Sequence, residues 1–256
     1  MFRNPALAVR SLVLPLLLAL AVALGGAVAA APKASALAVY SGDQIVVRFS
    51  NGDAYACTLN SVARKDGALW GITAGHCLSP IGGARPVGVY AADNATPIAS
   101  DLRGSGVQFV GGRGANNFTD VAWFRLDGHV QDAGAARGGN YSVPFLGGNT
   151  PLTQVTRTLH PNRAIAGRLP VSALRIGQIV CKDGGTTGRT CGPVIRVNAD
   201  SGEIWALMLS AVGDSGSPVY TLGPDRRAYI VGVHSRGGYG VLSVADAALP
   251  LPAGLR

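Results

Sequence analysis

Apolar and polar residues alternate in short bursts along this chain. Gln44-Ile-Val-Val-Arg-Phe49 sets Ile45, Val47 and Phe49 on one face, the two-residue period of a half-buried strand. Residues 68–72, 121–126, 178–181, 204–209 and 229–233 are further apolar runs of strand length. Turn formers separate them: Ser50-Asn-Gly-Asp53, Gly82-Gly83, the glycine-rich stretch 104–114, Gly138-Gly-Asn140, Gly184-Gly185 and Gly223-Pro-Asp225. Many short strands with regular turn signals predict an all-β sandwich or barrel. One short helix is expected, over residues 243–249 and closed by Pro250. Stretch 104–114 contains Gly-x-Gly but no second Gly-x-x-Gly in register, so it reads as a loop and not as a nucleotide cradle.

Composition narrows the choice. Only 14% of residues are charged, there are 36 glycines, and Glu203 is the single glutamate. Glu, Lys and Gln build solvent-facing helices, so their scarcity argues against a helical bundle or coiled coil. Disordered chains are charged and poor in apolar residues, and this chain is 48% hydrophobic.

The first thirty residues read differently. Arg3 and Arg10 form a basic start, residues 12–24 are apolar, and small residues with Ala-x-Ala-like cleavage options follow near 27–31. That is the pattern of a secretory signal peptide, residues 1–30. A retained anchor is the rival reading, since residues 11–31 carry no charge, but Pro15 and Gly25-Gly26 weaken a spanning helix. The protein is therefore expected outside the cell, or in the cell envelope if the segment stays attached. Removing the segment takes two arginines and no acid from a formal charge of +8. The remaining basic residues are scattered, with no 5–8 residue basic run, so neither nucleic acid nor stable membrane association is expected.

Cys57, Cys77, Cys181 and Cys191 make an even count in an exported chain, which predicts two disulfides. Three pairings are possible. The sequential one, Cys57–Cys77 and Cys181–Cys191, closes two short loops and is preferred. No pair has Cys-x-x-Cys spacing, so no metal site is expected.

Three segments carry candidate chemistry: Thr73-Ala-Gly-His-Cys77, Thr119-Asp-Val-Ala-Trp123 and Gly213-Asp-Ser-Gly-Ser-Pro218. Each alone has a plain structural reading, as a buried histidine, a turn aspartate and a glycine turn. Together they supply a nucleophile, a base and a group to hold the base. A serine hydroxyl attacks only when a base takes its proton. An imidazole does so near neutral pH, and a carboxylate on its other nitrogen fixes the tautomer. The order His, Asp, Ser is one of three unrelated orders that achieve this geometry. The Gly-x-Ser-x-Gly elbow of α/β-hydrolases fails because Ser217 replaces the last glycine.

On these residues the sequence resembles the chymotrypsin-like serine proteases. The resemblance runs over about residues 41–250 and extends to Cys57-Thr-Leu and Val231-Gly-Val-His-Ser235. Cys181 to Cys191 around Thr186-Thr-Gly188 is similar to the streptogrisin and α-lytic branch, and Gly216-Ser-Pro-Val219 with Gly232-Val-His-Ser235 to the glutamyl endopeptidases. The resemblance implies two six-stranded antiparallel Greek-key β-barrels with the active site in the cleft between them. After a lead-in over 31–40, the first barrel spans 41–138 and the second 139–256, with the short C-terminal helix. It implies His76, Asp120 and Ser215 as the triad, the amides of Gly213 and Ser215 as the oxyanion hole, and Ser235-Arg236-Gly237 as the edge that pairs with substrate backbone. Cys57–Cys77 would staple the strand before the histidine to its loop. The implied function is a secreted, monomeric serine endopeptidase acting on polypeptides without a cofactor. The alternative is a non-catalytic binding protein that retains the fold.

Departures from the family pattern matter too. No Ile-Val-Gly-Gly follows the export segment, so Asp214 needs a partner other than a new N-terminal amine, and an arginine is expected. Leu209 and Ser210 bring no carboxylate to the specificity pocket, which argues against Arg or Lys preference. His234 falls where glutamyl endopeptidases meet a substrate carboxylate. An acidic or a small apolar residue is therefore expected before the scissile bond.

Overall fold

The computed structural model describes residues 36–108, 119–138, 155, 158–237 and 240–247. These belong to one unit, Ala36–Arg256. The expected signal peptide, 1–30, and the expected barrel boundary beyond residue 138 lie outside the described residues.

The strands are β1 (Leu37–Ser41), β2 (Gln44–Phe49), β3 (Ala54–Thr58), β4 (Ser61–Lys65), β5 (Ala68–Thr73), β6 (Pro86–Ala91), β7 (Pro97–Ala99), β8 (Gly106–Gln108), β9 (Val121–Arg125), β10 (Val130–Ala136), β11 (Arg163–Arg168), β12 (Ile179–Gly184), β13 (Gly188–Asn198), β14 (Glu203–Ala206), β15 (Pro218–Leu222), β16 (Ala228–Gly237) and β17 (Ser243–Ala247). β2 shows the expected alternation, with Ile45, Val47 and Phe49 buried and their neighbours half-buried. β4 and β5 are joined by Asp66-Gly67, at φ 49° and 75°. Both central residues of this two-residue hairpin are left-handed, as a primed turn requires, and Asp-Gly tolerates that.

The C-terminal half closes on itself. β12, β13, β14, β17, β16 and β15 pair in that order and β15 returns to β12, every pairing antiparallel. Val180, Val194, Ile204, Met208, Val219 and Val231 fill this six-stranded barrel.

Two expectations are corrected. The N-terminal half is not a second closed six-stranded barrel. β1 and β10 pair parallel and continue into the C-terminal sheet through β11 and β16, and the other strands form two open four-stranded sheets, β3-β2-β6-β7 and β4-β5-β9-β8. They share one core, which includes Ile45, Val47, Leu59, Ile72, Val89, Ile98, Val121 and Phe124. Single contacts replace a ladder where the sheets meet. At the first corner Leu59 donates to the Asp43 carbonyl and Asn60 to that of Ile72. At the second, Asp127 donates to the Ile98 carbonyl, while its own carboxylate takes the Ser100 amide. A side chain thus occupies the donor that continued pairing would need.

The helix expected at 243–249 is also overturned, because Ser243–Ala247 is β17. It pairs with both β14 and β16 and closes the barrel. Helix propensity is a weak prior, and here two long-range partners outweigh it. Residues 248 and 249 lie outside the described set.

Both disulfides follow the sequential pairing, Cys57–Cys77 and Cys181–Cys191. The second joins residues directly opposite each other on β12 and β13. Among the described residues, no helix is long and apolar enough to cross a membrane.

Candidate active site

His76 sits in a 3₁₀ turn, Gly75–Leu78, that follows β5 directly. Asp120 is buried just before β9, the strand that pairs with β5. Their pairing register fixes the approach of the two residues. The His76 backbone amide donates to Asp120 Oδ1 at 2.7 Å, and His76 Nδ1 lies 2.6 Å from Asp120 Oδ2. A carboxylate only accepts, so the Nδ1 proton is held there and Nε2 is left as the basic nitrogen. The histidine side chain is 44% exposed and the aspartate 2%, so the ring faces solvent on its free side. Gly75 is required at this junction, since a Cβ there would come 2.6 Å from Asp120 Oδ1.

Ser215 lies in the turn between β14 and β15. Its carbonyl accepts from the Thr58 amide at 2.7 Å and lies 3.9 Å from Cys77 Sγ. The serine backbone is thereby seated against the residue next to His76. Among the described residues, the Ser215 hydroxyl forms no hydrogen bond with His76. Such bonds are often long before substrate binds.

The amides of this turn are divided between two uses. Asp214 donates to Ala211, Gly216 to His234 and Ser217 to Asp214. Among the described residues, the amides of Gly213 and Ser215 have no protein acceptor. Gly213 holds φ +96°, and a Cβ there would collide with Thr186 Oγ1. Only glycine takes that conformation in that space.

Asp214 is paired with Lys182, not with an arginine. Lys182 Nζ lies 2.5 Å from Asp214 Oδ2, and both side chains are fully buried. Asp214 also accepts from Thr187 Oγ1 at 2.6 Å and from the amides of Thr186, Thr187 and Ala211. Burial alone would push the Asp214 carboxyl up, but the Lys182 ammonium and these hydrogen bonds hold it below the ordinary carboxylate range. For Lys182, burial draws the ammonium below its usual range against the pull of Asp214. Sequence reasoning missed this lysine. Its one signal was a charge placed directly after the apolar run that starts β12.

His234 is buried between two hydroxyls, with Nε2 2.8 Å from Ser210 Oγ and Nδ1 2.8 Å from Ser243 Oγ. Burial, reinforced by the charge on Lys182, pushes it down to about 3, so the ring is neutral. Ser243 carries no signal of this role in the sequence, where its segment has a helical pattern. Ser210 is buried and Leu209 is half exposed beside it. A Cβ on Gly237 would lie 2.5 Å from Ser210 Oγ, so these two residues are closely packed. Ser235 is buried, while Arg236 reaches outward to an ion pair with Glu203.

The chain has the fold of bacterial chymotrypsin-like serine proteases. It is similar to Thermobifida fusca protease A, with TM-score 0.51 and 21% identity over 86% of this chain and 97% of that one. A glutamic-acid-specific serine protease described as using a histidine triad in substrate binding gives TM-score 0.54 and 19% identity, covering 82% of this chain and 93% of that one. An α-lytic protease homologue, N4, gives 0.52 and 23%, covering 83% and 94%. No family model matches the chain. The uncharacterised proteins Rv1815 and MT1863 of Mycobacterium tuberculosis are each 43% identical to it over 75 residues, 29% of this chain. The chain matches about a third of the length of those relatives.

Proposed function

We propose that the protein is a secreted serine endopeptidase. The observation that carries this reading is the double grip of Asp120 on His76, through both the backbone amide and Nδ1. His76 Nε2 takes the proton of Ser215 as its oxygen attacks a peptide carbonyl. The amides of Gly213 and Ser215 receive the developing oxyanion. Losing one such donor typically costs about 10²–10³ in rate. The imidazolium then protonates the leaving amine, and water resolves the acyl-enzyme. Substrate backbone pairs with the edge Ser235-Arg236-Gly237, a strand addition.

Pocket chemistry favours a short acidic residue before the scissile bond. Ser210, His234 and Ser243 form a buried polar relay that offers donors to a carboxylate, and Gly237 meets Ser210 closely enough to exclude bulk. A histidine triad is not what does this here. Of the four histidines, His129 bonds to the Pro97 carbonyl, His160 lies near Arg189 and His76 is held by Asp120.

A fluorophosphonate probe tests the activity. Labelling that is lost in Ser215→Ala supports the endopeptidase, and an unlabelled wild type supports the non-catalytic binding protein instead. A peptide-library digest tests the preference. Cleavage after Ala or Leu equal to cleavage after Asp or Glu rejects the acidic reading, and His234→Ala should abolish the preference.

A further inference from the structure

Each amide of the oxyanion hole shares a peptide plane with the carbonyl before it. The Gly213 N–H lies in the plane of the Val212 carbonyl, and the Ser215 N–H in that of the Asp214 carbonyl. A trans peptide points its N–H and C=O in opposite directions. A group that holds one of these carbonyls therefore aims the amide behind it. The aim needs fixing at Gly213. Glycine occupies positive and negative φ alike, so the Val212–Gly213 plane could turn over at little steric cost. Turned over, it would put a carbonyl into the hole and take the amide out.

Both carbonyls are held by hydroxyl groups. Thr186 Oγ1 donates to the Val212 carbonyl at 2.8 Å. The Ser217 hydroxyl donates to the Asp214 carbonyl, and the Ser217 amide donates to the same oxygen at 2.9 Å. The two holders are themselves seated. Thr186 is buried in the turn between β12 and β13, and its amide donates to Asp214 Oδ1 at 3.0 Å. Ser217 is fully buried just before β15, and its carbonyl accepts from the His234 amide at 2.9 Å. The intervening carbonyl of Gly213 accepts from Thr58 Oγ1 at 2.7 Å, and that of Ser215 from the Thr58 amide at 2.7 Å. Four successive peptide planes are thus pinned by their oxygens. The amides of Gly213 and Ser215 are left to face a ligand.

We propose that Thr186 and Ser217 are positioning residues of the oxyanion hole, whose hydroxyls lock the Val212–Gly213 and Asp214–Ser215 peptides in the orientation that receives an oxyanion. The role rests on the endopeptidase reading of the triad. It is separate from that of Lys182, which seats the Asp214 side chain, whereas the two hydroxyls orient the backbone on either side of it. Their shares differ. Among the described residues, the Val212 carbonyl has no donor besides Thr186, while the Asp214 carbonyl keeps the Ser217 amide when the hydroxyl is removed. Thr186 therefore carries the larger part.

Thr186→Val keeps the branched shape and removes the hydroxyl. Its kcat should fall about tenfold, the worth of one hydrogen bond, with KM unchanged. The hole acts on the tetrahedral state and not on bound substrate. A peptide boronate, which forms a tetrahedral adduct with the serine, should lose affinity by the same factor, and a product peptide should bind as to the wild type. Thr186→Ser restores the hydroxyl and should recover kcat and boronate affinity. Ser217→Ala should show the same pattern with a smaller fall, and it carries the test if Thr186→Val does not fold. A KM that rises while kcat holds, or a Thr186→Ser variant as impaired as Thr186→Val, overturns the proposal. A crystal structure of Thr186→Val gives an arm that needs no turnover. A Val212–Gly213 plane that stays in place there overturns the anchoring. A turned plane, in a protein whose wild type no fluorophosphonate labels, would sink the endopeptidase reading and leave the anchoring intact.

Discussion

Lys182 and Asp214 form a fully buried ion pair, Nζ to Oδ2 at 2.5 Å, that ties β12 to the turn carrying Ser215. The carboxylate also gathers the amides of Ala211, Thr186 and Thr187. The conformation of Gly213 and Ser215 is thereby set by groups within the barrel. Replacing Lys182 by Met leaves a buried carboxylate without its cation, which costs about 3–5 kcal/mol. Urea denaturation of Lys182→Met measures this. A loss below about 0.5 kcal/mol, the range of ordinary surface substitutions, would show that the amides and Thr187 suffice alone.

Two glycines with nearly the same backbone separate conformational strain from crowding. Gly216 and Gly52 have φ +94° and +91°. A Cβ on Gly52 would meet nothing within 4 Å, whereas on Gly216 it would fall on the Thr58 carbonyl oxygen and Thr73 Oγ1. Gly52→Ala should cost about 1–2 kcal/mol, the left-handed penalty of an L residue. Gly216→Ala should cost about 1–3 kcal/mol more from overpacking. It should also lower activity, because Ser215 is its neighbour. Equal melting temperatures in the two variants would show that the 58–73 corner yields freely.

These residues also show what the sequence made legible. The alternation in β2 and the Asp66-Gly67 turn were readable because side-chain period and turn conformation are local properties. The His76–Asp120 pair was readable because its residue types stand in two short motifs that can be recognised without knowing the fold. Lys182 was not. A single lysine in a strand usually faces water, and only the barrel closure turns this one inward. Ser243 and Asp246 were hidden for a related reason. Their segment becomes a strand through pairing with β14 and β16, contacts that no local window contains. The open sheets of the first half depend likewise on how corners such as Leu59-Asn60 spend their amides.

Cys57–Cys77 closes a loop with a sequence separation of 20 that contains β4 and β5. In the chain-entropy account, such a loop contributes about 3 kcal/mol. A Cys57→Ser, Cys77→Ser double variant should lose stability of that order in denaturant titration. Because Cys77 adjoins His76 and lies against the Ser215 carbonyl, kcat should fall further than KM rises. An unchanged kcat would show that β5 and β9 hold the histidine without the staple.

His234 and Asp246 give the fold opposite dependences on pH, and their windows overlap. His234 is pushed from an ordinary 6.5 down to about 3, so between these values the unfolded chain binds the extra proton. Stability from this group is present above 6.5 and is lost as pH falls toward 3. Asp246 is pushed from 3.8 up to about 7, so there the folded chain binds the extra proton. Stability from this group is present below 3.8 and is lost as pH rises through 7. Each contributes a slope of about 1.4 kcal/mol per pH unit inside its window, with opposite sign. In the wild type the two slopes offset each other from 3.8 to 6.5. Removing either group exposes the other. Asp246→Asn should become steadily more stable as pH rises through that interval, and His234→Gln steadily less stable. Denaturant titrations at several pH values read both slopes. Variants that both stay as flat as the wild type would mean that neither group changes its proton affinity on folding.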